Sequence, residues 1–160
     1  MEAGELILSI AGSGGRFIFG TVHPGALLTY YLGLARWVDE WGREVLVTEV
    51  RGRDEQDLPL DWMGQGSVMG DGASMLHTHD PAPMRRILEQ VGTADLMVVD
   101  HGFAGAAVAV DIPAVAIMDT NDPALAVVAG RGAEVTGISM EDNRPLNSYT
   151  VALEVLKTRR

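Results

Sequence analysis

Short apolar runs alternate along this chain with longer segments of helical periodicity, and this alternation limits the folds available to it. The apolar runs predict five strands, at residues 16–20, 44–50, 96–100, 114–119 and 134–138. The helical segments lie at residues 2–12, 24–41, 81–91, 121–130 and 145–157. Continuous apolar runs are typical of parallel strands that helices cover on both faces. We therefore predict a three-layer, doubly wound α/β fold with five parallel strands, of the flavodoxin-like type.

Size, charge and composition place the chain among cytoplasmic single-domain proteins. Its 160 residues suit one domain spanning residues 1–160, without internal repeats. No apolar run reaches the roughly 18 residues of a membrane span, and the start lacks the basic region of a signal peptide. The absence of cysteine fits a reducing compartment. The net charge of −10 opposes nucleic-acid binding, because no basic stripe offsets it.

Residues 51–79 break the alternation, with five glycines, four aspartates and little periodicity. Connections longer than about 15 residues in a compact domain are usually functional or disordered. This one carries enough apolar side chains, among them Leu60, Trp62 and Met69, to pack against the domain. We interpret it as an ordered excursion over a binding crevice or as part of a dimer interface. A flexible surface loop is the alternative.

The loop after the first predicted strand, residues 20–25, is a candidate anion site. Ligands of open parallel sheets bind beyond the carboxyl ends of the strands. Gly20 would let the backbone approach a ligand, and the N–H groups that open the next helix favour an anion. Thr21 offers a hydroxyl and His23 a group that titrates near neutrality. The loop matches no dinucleotide or P-loop motif, and Gly20 could instead serve a tight turn and His23 a cap.

Two further loops should reach the same crevice. The third strand ends in Asp100, followed by His101 and Gly102, which is typical of a binding loop. The fourth strand ends in the polar run Asp119–Thr120–Asn121. Asp122, which comes next, is also an ordinary helix N-cap before proline.

All four histidines of the chain, His23, His77, His79 and His101, fall in predicted loops on or near this edge. Together with Asp100 they could build a nitrogen and oxygen metal site. Surface or capping histidines are the commoner explanation of such a pattern. We therefore expect no bound metal and no cofactor.

The stretch from Gly14 to His23, Gly-Gly-Arg-Phe-Ile-Phe-Gly-Thr-Val-His, resembles the opening of sugar isomerase (SIS) domains. It is most similar to a bacterial SIS subgroup whose first strand ends in Phe-Gly-Thr-Gly-His-Ser. Ser74-Met75-Leu76-His77 is similar to a second stretch of that subgroup. The resemblance implies a five-stranded parallel fold that binds phosphosugars and dimerises. Val22 and Pro24 depart from the subgroup's glycine and serine, and residues 100–103 replace its Ser-x-Ser-Gly.

The resemblance implies a domain that binds a phosphosugar or a similar small anionic carbohydrate derivative, and in its catalytic form an aldose–ketose isomerase. Isomerisation needs a base and a group that polarises the carbonyl, and the catalytic candidates are His23, His77 and His101. The substrate-binding candidates are Gly20, Thr21, Val22, Gly25, Asp100, Gly102, Asp119, Thr120 and Asn121. Two alternatives stay open: a non-catalytic dimeric module for ligand sensing or interaction, and a metal-dependent hydrolase or lyase that uses the clustered histidines.

A homodimer is expected through the long helix at residues 24–41. Its aromatic residues Tyr30, Tyr31, Trp37 and Trp41 cannot all face one sheet. Trp37 and Trp41 lie four residues apart and share one helical face. We expect that face to meet a second copy of the chain.

Overall fold

The computed structural model describes residues 2–119 and 123–158, which form helices and strands around one mixed sheet. The helices are α1 (Ala3–Gly12), α2 (Ala26–Glu40), α3 (Ala82–Val91), α4 (His101–Ala109), α5 (Ala124–Gly130) and α6 (Leu146–Thr158). The strands are β1 (Phe17–Thr21), β2 (Gly52–Arg53), β3 (Pro59–Met63), β4 (Gly66–Val68), β5 (Leu96–Asp100), β6 (Ala114–Met118) and β7 (Val135–Ser139). The predicted α/β class is confirmed.

The sheet has the order β2-β3-β4-β1-β5-β6-β7 within the described residues. The strands from β4 to β7 in this order run parallel, whereas β2 and β3 pair antiparallel at one edge. The prediction of a sheet with five parallel strands and no others is therefore wrong. Strands β2, β3 and β4 all come from residues 51–79, whose lack of periodicity gave no strand signal.

The predicted strand at residues 44–50 is also wrong. Its first residues lie beside β1, since Phe17 N–H donates to Glu44 O and Leu46 N–H donates to Phe17 O. Beyond this point the segment leaves the sheet, and β4 pairs with the carboxyl-terminal half of β1 instead. An apolar run predicts burial, but the partner of β1 is chosen by long-range packing.

Two hydrophobic cores lie on opposite faces of the sheet. Phe17 and Phe19 of β1 pack into the core formed with α1, α2 and α6, while Ile18 between them faces the core formed with α3 and α4. This alternation follows from the two-residue period of a strand. Every residue of β1 and β5 is buried, as expected of central parallel strands.

The aromatic residues of α2 are mostly covered by their own chain. Tyr30, Tyr31 and Trp37 are buried in the core shared with α1 and α6, and Trp41 alone of the four is exposed, at 43%. The premise that these side chains need a second copy is therefore wrong, because α1 and α6 also pack on α2. The homodimer itself stays a prediction. Within the described residues, no helix combines the length and apolar character needed to cross a membrane.

Candidate functional site

The ends of the neighbouring strands β1 and β5 are joined by a buried carboxylate. Asp100 is fully buried and accepts hydrogen bonds from the Thr21 hydroxyl (2.5 Å) and from Val22 N–H (2.9 Å). The Thr21 hydroxyl oxygen in turn accepts His23 N–H at 2.9 Å. Burial raises the pKa of Asp100, although the hydrogen bonds from Thr21 and Val22 oppose this effect. Asp100 therefore positions the loop that carries His23.

Gly20 and Gly25, the two glycines of this first loop, have different surroundings. A Cβ atom at Gly20 would lie 2.8 Å from Ser67 O and 3.0 Å from the Phe103 ring. Gly20 therefore permits close packing of β1 against β4 and α4. Gly25 caps α2 and is exposed, with nothing within 4 Å of a Cβ built there.

His101 lies at a sharp turn between strand and helix. It follows the last residue of β5 directly and is the first residue of α4, with a φ of +37°. Few residues other than glycine adopt this left-handed region, and such strain clusters at functional sites. The turn buries the His101 ring at the carboxyl edge of the sheet, where its Nε2 lies 2.9 Å from Asp142 Oδ2.

Gly102 allows the chain to cross directly over the start of α4. A Cβ atom there would lie 2.5 Å from Asp80 O and 2.7 Å from the carbonyl carbon of His79. The backbone at residues 79–80 therefore rests on this glycine. The contact brings the ring of His79 to 5.0 Å from that of His101, measured between centroids.

The His77 ring is oriented by the loop after β1. Its Nδ1 lies 2.7 Å from Val22 O, and a carbonyl oxygen can only accept, so Nδ1 carries the proton. The Nε2 of the neutral ring then presents a lone pair, and it lies 3.1 Å from Nε2 of His79. His77 and His79 are both exposed.

The four histidines converge. The centroid distances from the His77 ring are 5.0 Å to His23, 5.6 Å to His101 and 4.9 Å to His79. The His23 and His101 rings are 5.8 Å apart. The predicted catalytic candidates thus lie together in one cluster, which also includes His79.

Asp142 is the member of the cluster that the sequence-based reasoning missed. It lies in the connection between β7 and α6, is buried, and places Oδ2 3.1 Å from Nδ1 of His23 as well as 2.9 Å from Nε2 of His101. The Tyr149 hydroxyl holds this connection, because it donates to Glu141 O and accepts from Arg144 N–H, each at 2.8 Å. The other loops were selected because they carry polar residues beyond the carboxyl end of a strand. The connection after β7, which carries Asp142, meets the same criterion.

The loop after β6 contributes less to the described site. Asp119 is half-buried directly after β6, beside the end of β5. The candidates Thr120 and Asn121, and the proposed cap Asp122, lie outside the described residues.

We call the group formed by His23, His77, His79, His101 and Asp142 the histidine crevice. Imidazoles can donate or accept hydrogen bonds, transfer protons near neutral pH and bind metal ions. Three donor atoms that could hold one ion, from His23, His101 and Asp142, lie within 4.8 Å of one another. Fold and site together define an α/β protein with a cluster of histidines at the carboxyl edge of its mixed sheet.

Comparison with known proteins identifies the family. A family model described as Phosphatase matches residues 2–157, so the chain belongs to this phosphatase family. It is 34% identical over 138 residues to Phosphatase SCO2771 of Streptomyces coelicolor (strain ATCC BAA-471 / A3(2) / M145), covering 83% of this chain and 52% of that protein. The chain thus spans about half the length of this curated relative. No solved structure matches the chain.

The family match overturns the sugar isomerase interpretation. The predictions of a SIS domain, of phosphosugar binding and isomerisation, and of a non-catalytic module derived from such a domain are wrong. The resemblance covered about a dozen residues, mostly around β1, whereas the phosphatase match covers residues 2–157. Gly20 and Thr21 suited a ligand loop in sequence, but both are buried and contact their own chain.

Proposed function

We propose that this chain hydrolyses phosphate monoesters in the histidine crevice. The observation that carries the proposal is the meeting of all four histidine rings, two of which, His23 and His101, lie beside a buried aspartate, in a member of a phosphatase family. The histidines come from three separate segments of the chain, so their meeting is a product of the fold. The name of the Streptomyces relative supports the same activity.

The crevice suits the charge changes of this reaction. Hydrolysis forms a bond from a water oxygen to phosphorus and breaks the ester P–O bond, with one proton leaving the water and one reaching the departing alcohol. The transition state spreads negative charge over the phosphoryl oxygens, so catalysis depends on positioning and on electrostatic stabilisation. Imidazoles can donate N–H groups to these oxygens and can exchange both protons near pH 7.

The two levels of the crevice support different roles. His77 and His79 are exposed and can meet an incoming phosphoryl group or leaving group. With Nδ1 protonated, Nε2 of His77 becomes a candidate for accepting the proton of water if its contact with Nε2 of His79, 3.1 Å away, is released. His101 is buried against Asp142 and forms the base of the crevice.

Hydrolysis of p-nitrophenyl phosphate by the untagged protein tests the proposal. We expect His77→Ala and His101→Ala each to lower kcat/KM by about 100-fold or more, the usual contribution of a positioned acid or base. Glu134→Gln is the control, because Glu134 is exposed just before β7 at the opposite edge of the sheet. Failure of the wild-type protein to hydrolyse any of a panel of phosphomonoesters would refute the proposal, as would full activity in both histidine variants.

A further inference from the structure

We propose that His23, His101 and Asp142 bind one divalent transition-metal ion. Binding of the ion is a property of these three residues alone. Its part in catalysis rests on the proposed function, in which it would offset the local carboxylates and attract the phosphoryl group. The geometry of the three donors, an unpartnered nitrogen atom and the support around Asp142 carry the inference.

The three donor atoms have the spacing of ligands around one ion. Asp142 Oδ2 lies 3.1 Å from Nδ1 of His23 and 2.9 Å from Nε2 of His101. Ligands bound to zinc at the usual lengths with tetrahedral angles lie roughly 3.4 Å apart. A small outward movement of side chains would therefore admit the ion. Imidazole with carboxylate is a donor set that suits zinc and its neighbours better than magnesium or calcium.

The Nδ1 atom of His23 provides independent support. This atom is buried and has no hydrogen-bond partner among the described residues. Its 3.1 Å distance to Asp142 Oδ2 would allow a hydrogen bond, but the direction of approach does not satisfy one. A buried polar atom left without a partner costs about 1–3 kcal/mol. A bound cation would give this nitrogen the partner it lacks.

The surroundings resemble the outer shell of a metal site. Tyr149 holds the backbone on both sides of Asp142, and the Thr21 hydroxyl oxygen accepts the N–H of His23. Such outer hydrogen bonds orient metal ligands. Catalytic zinc sites have three protein ligands and keep the fourth position for water or substrate, whereas structural zinc sites have four protein ligands. The three ligands proposed here match the catalytic arrangement. The exposed rings of His77 and His79 are neighbours of these ligands, at centroid distances of 5.0 Å from His23 and 5.0 Å from His101, respectively.

The ion would also supply charge that the crevice needs. The chain has a net charge of −10, and Asp100 and Asp142 both lie at the crevice, where they would repel a phosphoryl group. A bound divalent ion is often the largest local charge in a site. It would offset the negative charge of these two carboxylates and so reduce the repulsion that a phosphoryl group meets.

Equilibrium dialysis of chelator-stripped, untagged protein against Zn²⁺ tests the inference, with metal content read by elemental analysis. We expect one Zn²⁺ per chain in the wild type. Asp142→Asn and His23→Ala should each weaken binding by at least about tenfold, whereas Glu134→Gln should bind like the wild type. Circular dichroism melts of the metal-free variants will show whether each is folded.

Tyr149→Phe tests the positioning role of the hydroxyl. The change keeps the ring in the core but removes the group that holds the connection around Asp142. Loss of an outer-shell partner typically lowers metal affinity by about 10–100-fold. We expect the Zn²⁺ dissociation constant to rise by that factor, without any change in the number of ions bound at saturation.

The outcomes separate metal binding from hydrolysis. Wild-type uptake below about one ion per ten chains, or equal affinity in folded Asp142→Asn and His23→Ala, would overturn the metal site. If the protein fails to bind Zn²⁺ in this way but hydrolyses phosphomonoesters without metal, the metal site is overturned and the phosphatase proposal stands. Stoichiometric, variant-sensitive Zn²⁺ binding in a protein that hydrolyses no phosphomonoester would support the metal site and remove the phosphatase proposal.

Discussion

The floor of the site, formed by His101 and Asp142 of the histidine crevice together with the neighbouring Asp100, is buried, whereas the rim of the crevice, formed by His77 and His79, is exposed. The floor is held by hydrogen bonds between segments 41 to 79 residues apart in sequence. The rim rests on the backbone contact at Gly102 and on the bond between His77 and Val22 O. The floor should therefore contribute to stability as well as to the site, and the rim to the site alone.

Replacing Asp100 should have the largest effect on the fold. In Asp100→Ala the Thr21 hydroxyl and Val22 N–H lose their buried acceptor, and each unsatisfied group costs about 1–3 kcal/mol. We expect the free energy of unfolding, measured with urea, to fall by about 3 kcal/mol. A loss below about 0.5 kcal/mol would mean that the floor does not depend on this carboxylate.

Gly102→Ala tests the link between floor and rim. The new methyl group would meet the backbone at Asp80 and displace the segment that carries His77 and His79. Misplacing a catalytic group by about 1 Å can cost about 100-fold in rate, and we expect a loss of that size in kcat/KM. Gly105→Ala is the matched control in the same helix, because the nearest atom to its Cβ is Pro81 Cβ at 4.0 Å. Equal activity in the two variants would contradict the link.

His79→Ala should separate activity from stability. The side chain is exposed, and surface substitutions usually change stability by no more than about 0.5 kcal/mol. Because His79 lies on the rim, the substitution should still lower kcat/KM for p-nitrophenyl phosphate by about tenfold or more. A large fall in the melting temperature would show that the rim also supports the fold.

The smallest effect is expected at Asp54, near the start of the excursion that carries the rim. Burial would raise the pKa of Asp54, but hydrogen bonds from Leu58 N–H, the Arg86 guanidinium and Gln56 N–H outweigh it and lower the pKa. A lowered folded-state pKa stabilises the protein above the ordinary aspartate pKa of about 3.9. This contribution is lost as the pH falls through the folded-state pKa.

The measurement is the difference in melting temperature between the wild type and Asp54→Asn at several pH values. The wild type should be the more stable at pH 7, and the gap should shrink below about pH 4. A gap that stays constant down to pH 2.5 would contradict the assignment of this stabilisation to the charged carboxylate.

Local sequence patterns were sufficient to predict many of the strands and helices. The predicted strand at residues 96–100 coincides with β5, and the predicted helix at residues 81–91 differs from α3 by one residue. Each is defined by periodicity within a few residues. The excursion at residues 51–79 has no such pattern, and its strands form only because β1 offers an open edge to β4.

The sequence by itself determined the alternation of strands and helices and indicated that the four histidines fall in loops on or near one edge of the sheet. Only the tertiary structure decided that the four rings meet, that Asp142 joins them, and that Gly20 and Thr21 are buried groups of the fold. The physical reason is distance along the chain. Periodicity reports on neighbours within one element, whereas the crevice depends on contacts between segments as far apart as Val22 and His77. Those contacts exist only when the sheet has assembled.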